Sequence, residues 1–167
     1  GPVRRSQTTG SMVSRLSENS TDAHFVTGTA APCTRVFKPV WVDVPLPDTG
    51  PAPTDEADEE SLFWKHERLH RETLRDYPTR IAVYEDERDA LEAEMMEGAL
   101  EIAKNEASAN ERAAYSEDCF DRAASATKDW TQRVTNASVE NKPNFLFRRA
   151  WNEYNESAGL RLPGGRL

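Results

Sequence analysis

Two stretches near the start of the chain carry small, β-branched and aromatic residues in an order that favours β-strands. They cover residues 5–16 and 24–43, and both are rich in Thr, Val and Phe or in small residues between them. A polar connector at 17–22 separates the two stretches and suits a hairpin. We therefore predict a strand hairpin within residues 1–43 that completes a sheet.

The pattern changes at residue 44. Residues 44–60 alternate proline with acidic side chains, and proline lacks the backbone donor that strands and helices need. This segment is predicted to be a surface connector. Its acidic end suits the start of a helix, where carboxylates meet the positive end of the helix dipole.

Residues 61–158 place apolar side chains three and four positions apart, which is typical of amphipathic helices. We predict helices at about 59–76, 79–105, 108–136 and 144–157, with a break near Tyr77 because Pro78 follows it. Residues 159–167 are predicted to form a flexible tail. The fold class is α+β, with two or more antiparallel strands followed by three to four amphipathic helices.

Composition and charge narrow the function. Hydrophobic residues make up 37% of the chain and charged residues 30%, and the mean hydropathy is −0.76, so we expect the chain to depend on a partner. The net charge of −8 would repel a polyanion and argues against nucleic acid. No apolar run approaches the ~20 residues that cross a bilayer. These features predict a cytoplasmic protein without membrane contact.

Four segments resemble the C-terminal part of the secernin-like dipeptidases, which are cysteine peptidases related to N-terminal-nucleophile hydrolases. The segments are SQTTGSMV at 6–13, VTGTAAPC at 26–33, VFKPV at 36–40 and WKHERLHR at 64–71. The resemblance covers roughly the first half of the chain. It implies a four-layer αββα sandwich in the parent protein.

The resemblance also implies a mechanism, in which a processed N-terminal cysteine attacks an amide bond of a peptide or amide substrate. In that family the cysteine lies upstream of the Thr-Thr-Gly-Ser-Met strand, whereas this chain starts with Gly1. The catalytic cysteine is therefore expected in the N-terminal part or a companion chain of the same protein. No cofactor is expected, and a homo-oligomer remains open.

A competing hypothesis comes from His66-Glu67-Arg68-Leu69-His70, which matches the H-E-x-x-H pattern of zinc peptidases. There, two histidines one helical turn apart bind zinc, and the glutamate activates the bound water. The third ligand would have to be Glu87, Glu92 or His24. Positive neighbours such as Lys65, Arg68, Arg71 and Arg75 argue against a cation at this place, so zinc stays the alternative.

Other residues suggest weaker candidates for a site. Thr8, Thr9 and Ser11 could line a substrate cleft, although Thr is ordinary in strands. Cys33 could be a nucleophile with His24 as its base only if folding joins them, and we interpret Cys33 and Cys119 as structural thiols. A non-catalytic interaction module is the remaining alternative.

Overall fold

The computed structural model describes residues 7–167, and it contains one three-stranded antiparallel sheet. The strands are β1 (Ser11–Arg15), β2 (Ala23–Thr27) and β3 (Lys38–Val40), in the order β1-β2-β3. Met12 lies opposite Val26, and Val26 lies opposite Lys38. The predicted hairpin is confirmed from residue 7 onward, and residues 1–6, which the prediction included, lie outside the described residues. The second predicted strand is in fact two strands, because a 3-10 turn at Pro32–Thr34 interrupts it.

The described residues form five helices, where three to four were predicted. They are α1 (Leu62–Thr73), α2 (Tyr77–Ile81), α3 (Glu85–Lys104), α4 (Ala109–Asn136) and α5 (Phe145–Ser157). The α+β class is confirmed, and the helix count is wrong because the second predicted helix is split. Pro78 starts a short helix, and Tyr84, with a φ of −142°, separates it from α3.

Capping side chains explain why the predicted starts of the last two long helices are accurate to a residue. Ser108 accepts a hydrogen bond from the Glu111 amide, and the Glu111 carboxylate accepts one from the Ser108 amide, which together form a capping box. Asn144 caps α5 by accepting from the Phe147 amide. Each cap satisfies amides that the first helical turn leaves without a partner.

The two faces of the sheet have different surroundings. One face presents Phe25, which packs with Trp41 and with Ala99 of α3 in a buried apolar cluster. The other face carries Met12 and Lys38, together with Val26 and Val40. Among the residues described there is a single sheet, so the two sheets of an αββα sandwich stay a prediction for the whole protein.

A second core lies among the helices. Leu69 of α1, Tyr84, Met95 of α3 and Trp130 of α4 are nearly or fully buried in one cluster, and Tyr84 stacks on Trp130 at 5.3 Å between ring centroids. The segment after α5, predicted to be a flexible tail, lies against α1, where Leu160 packs beside Trp64.

No helix in residues 7–167 combines the length and the apolar character needed to span a bilayer.

Gly50 allows the connector to approach the start of α1. Its φ is +76°, and a Cβ there would lie 2.5 Å from the Glu60 carbonyl oxygen. The neighbouring Thr49 carbonyl accepts a hydrogen bond from the Leu62 amide at 2.9 Å. The connector is therefore fixed to α1 at a position that only glycine fits.

We predict that Gly50→Ala lowers the free energy of unfolding by at least about 1–2 kcal/mol, because alanine disfavours the left-handed region and would meet the Glu60 backbone. Urea unfolding followed by tryptophan fluorescence measures the change. Gly28→Ala is the matched control, since a Cβ at Gly28 meets no atom within 4 Å. Equal stability of the two variants would contradict this account of the connector.

Candidate functional site

A groove of about 630 Å³ lies over the face of the sheet that does not pack on α3. We call it the sheet groove. Its floor comes from all three strands, one wall from connector residues 46–53, and the other from the start of α1 and from α4. The lining residues include Ser11, Met12 and Lys38 of the strands, Leu46 of the connector, Phe63 of α1 and Phe120 of α4.

The structure brings one of the three predicted cleft residues into the sheet groove. Ser11 lines it, whereas Thr8 and Thr9 are exposed just before β1 and are not among the residues that line it. The Thr8 carbonyl accepts a hydrogen bond from the Ala31 amide at 3.2 Å. Thr8 therefore fixes the loop before the 3-10 turn through its backbone. Ser11 alternates with Met12 along β1, so its side chain is directed to the sheet face that carries Phe25, and it borders the groove from the edge of the sheet.

Lys38 is a groove residue that sequence reasoning missed. Its side chain is 2% exposed, and its Nζ donates to the Val36 carbonyl at 3.0 Å and lies 5.2 Å from the centroid of the Phe120 ring. Burial, together with the nearby Arg35, lowers the pKa of Lys38 to about 8. The available signal was a lysine between Phe37 and Pro39 in a strand-like segment, where a charged residue is unusual.

The glutamate of the H-E-x-x-H pattern is part of a buried ion-pair network. Glu67 is 2% exposed, its Oε2 accepts from Arg71 Nε at 2.8 Å, and its Oε1 lies 3.3 Å from His70 Nδ1. Arg71 also donates to Asn155 of α5 at 2.7 Å. Burial alone would raise the pKa of Glu67, but the contacts with His70 and Arg71 lower it below its usual value.

The two histidines of the pattern are also held by other side chains. The Thr127 hydroxyl donates to the Ala123 carbonyl, so it accepts from His66 Nδ1 at 3.3 Å, and the neutral His66 ring carries its proton on that nitrogen. Burial, reinforced by Arg35 and Lys38, lowers the pKa of His66 well below 6.5. His70 Nε2 lies 3.2 Å from the Gln7 amide nitrogen.

The proposed third zinc ligands have partners elsewhere. Glu87 accepts from Arg133 and from Trp130, Glu92 accepts from the Phe37 amide, and His24 Nδ1 lies 2.8 Å from Ser14 Oγ. In the part of the chain that the structure describes, no group of three or more His, Cys, Asp or Glu side chains could hold a metal ion. The pattern is thus used in the fold as a set of buried polar contacts.

The two cysteines have different surroundings. Cys33 is exposed in the 3-10 turn, and Cys119 is fully buried in α4, where burial raises its pKa to about 11. A thiol of that pKa is almost entirely protonated near pH 7, and the thiolate is the nucleophilic form. His24, the base that a Cys33 nucleophile would need, hydrogen-bonds Ser14 instead.

A second groove, of about 710 Å³, runs between α1 and α4. Lys65, Arg68 and Lys128 line it together with polar residues of α4, and His66 is at its base. The first groove combines an apolar floor with a buried cation and the predicted Ser11, so it is the better candidate for a binding site.

We predict that Glu67→Gln lowers the free energy of unfolding by about 3 kcal/mol, because Arg71 would keep a buried charge without its carboxylate. The matched control is Glu59→Gln. Glu59 precedes α1 and is the exposed ion-pair partner of Arg68, which is on that helix, so its loss should leave stability unchanged. Chemical denaturation of both variants checks this. A zinc peptidase would show the reverse, with Glu67→Gln stable and inactive.

A scan against protein-family models, a search of curated proteins and a search of solved structures each found no match to this chain.

Proposed function

We propose that this chain is the C-terminal part of a cysteine-type dipeptidase or amide hydrolase similar to the secernins. In this proposal it supplies strands to a larger sheet and the helical layer that covers one face of them. The nucleophilic cysteine comes from the N-terminal part or a companion chain of the same protein. The fold of the whole enzyme is then the αββα sandwich that the resemblance implies.

The observation that carries the proposal is the contrast between β1 and β2. Met12 and Val13 of β1 point to opposite faces and are 66% and 54% exposed, and Leu16 after the strand is 72% exposed. In β2, by contrast, Ala23 and Phe25 are buried. An edge strand with apolar side chains on both faces is a template for further strands and cover.

The position of the sheet groove also supports the proposal. It lies on the sheet face opposite α3, which is the face that a second sheet would cover in a sandwich. Ser11 and Met12 of β1 are among its lining residues, so polypeptide added beside β1 would extend the groove. The active site would then form where the cysteine of the added segment meets this groove.

The chemistry in the proposed enzyme is acyl transfer through cysteine. The thiolate attacks the carbonyl carbon of the amide, with the nucleophile's own α-amino group as base, and the amine leaves with a proton. The resulting thioester is cleaved by water, which releases the acid and regenerates the thiol. The present chain binds the substrate beside the cysteine, through the apolar floor of the sheet groove.

Dipeptide hydrolysis by the native protein with all its segments tests the proposal, because the variant Cys33→Ser distinguishes Cys33 from the proposed nucleophile. We predict that dipeptide hydrolysis is abolished by iodoacetamide in the wild type and in Cys33→Ser alike, and that intact-mass measurement finds the label on a segment that begins with Cys. Loss of activity in a folded Cys33→Ser protein would place the nucleophile in this chain and contradict the proposal.

The edge of the sheet can be tested separately with Met12→Lys and Val13→Lys combined. Both positions are exposed in this chain, so its melting temperature should change little, while association with the Cys-initiated segment should be lost. Val42→Lys is the matched control, since Val42 is 87% exposed outside the strands. A complex that forms equally well with both variants would contradict the proposed use of β1.

A further inference from the structure

Lys38 and Arg35 are two buried cations that form no ion pair with any described carboxylate. Lys38 is 2% and Arg35 3% exposed. Arg35 Nη2 donates to the His66 carbonyl, and its Nε and Nη1 have no hydrogen-bond partner within residues 7–167. Neither residue has a carboxylate oxygen within 4.0 Å among those residues.

Two other buried arginines, by contrast, each form an ion pair. Arg71 pairs with Glu67 at 2.8 Å, and Arg80 pairs with Glu72 at 2.9 Å. Burying a charge without a partner costs several kcal/mol, so buried charges in proteins are normally paired. Lys38 and Arg35 lack such a partner among the described residues. A bound anion could therefore neutralise the positive charge at this position.

Of these two cations, Lys38 is among the residues that line the sheet groove and Arg35 is not. Its ammonium group has three donors, and among residues 7–167 one of them is used, by the Val36 carbonyl. The rest of the groove is mostly apolar, with Met12, Val26 and Leu46 among its lining residues. Its volume of about 630 Å³ falls within the ~300–1,000 Å³ of small-molecule sites.

We propose that the sheet groove binds a small peptide by its terminal carboxylate, with Lys38 as the ion-pair partner and the apolar floor around the C-terminal side chain. This inference rests on the proposed function, since it names the substrate end that this chain recognises. Arg35 adds positive potential behind Lys38 without contacting the ligand. Lys38 is a binding residue in this account and takes no part in amide cleavage.

The protonation of Lys38 gives the site a pH dependence. The charged or titratable groups that act on it are Arg35, Glu92 on α3, Cys119 on α4 and His66 on α1, and burial with Arg35 outweighs Glu92 so that the pKa of Lys38 is about 8. In the free site, Lys38 is cationic below that pH and neutral above it. Affinity for a carboxylate is therefore full below pH 8 and declines as the pH rises further.

Isothermal titration of the 167-residue chain with the dipeptide Ala-Leu and with its C-terminal amide tests the proposal. We expect the acid to bind roughly 30-fold more tightly than the amide, since loss of one partner of a desolvated ion pair has about that effect. Lys38→Met should abolish the preference for the acid, and Lys65→Met, at an exposed lysine in the second groove, should retain it.

Two further measurements keep the test decisive. If Lys38→Met fails to fold, the affinity of the wild-type chain for N-acetyl-Ala-Leu, which has no amine that titrates near pH 8, should still fall above pH 8 by up to the same ~30-fold, and inorganic phosphate should compete for the same site. Equal affinity for acid and amide, or affinity that is constant from pH 7 to 10, would overturn the proposal. Binding of the dipeptide needs no cysteine nucleophile. A negative binding result would therefore contradict the role of Lys38 but not the hydrolase proposal, which the iodoacetamide experiment tests separately.

Discussion

The buried carboxylates of α1 hold the helical part of this protein together. Glu67 binds Arg71, which reaches Asn155 on α5. Glu72, which is fully buried, binds Arg80 of α2 through one oxygen and the amide of Gly164 through the other. Two consecutive turns of one helix therefore connect α1 to α2, to α5 and to the chain beyond α5. Removing either carboxylate would leave a buried arginine uncompensated, which is far more costly than losing a surface pair.

The sheet side of the molecule is organised in the opposite way. Lys38 and Arg35 are buried there without an ion-pair partner among the described residues, and β1 leaves apolar side chains in water on both faces. The buried Arg71 and Arg80 of the helical side thus have carboxylate partners, whereas the sheet side exposes an edge and a groove. The proposed hydrolase would have this asymmetry. In it, the chain's own helices cover one side of the sheet, and the rest of the enzyme covers the other.

Local signals predicted most of the elements, and partners distant in sequence decided the rest. The starts of α4 and α5 follow from Ser108 and Asn144, whose side chains cap the amides that come next. The division between α2 and α3 falls at Tyr84, whose ring stacks on Trp130, 46 positions away in the sequence. The H-E-x-x-H spacing is equally compatible with zinc or with buried pairing, because the pattern does not contain Arg71, Asn155 or Thr127. Lys38 was not predicted for the same reason. The residues next to it in the sequence do not show which carboxylates lie near its ammonium group in the folded protein.

Amide hydrogen exchange in this chain, alone and in the native protein with all its segments, tests most directly whether β1 awaits further polypeptide. The account predicts that residues 11–15 of the isolated chain exchange far faster than residues 23–27, because exposed edges open easily. In the complete protein, exchange at residues 11–15 should slow by about tenfold or more, with little change in α1. Equal protection of β1 in both samples would contradict the account, because the strand would then need no cover beyond what this chain supplies.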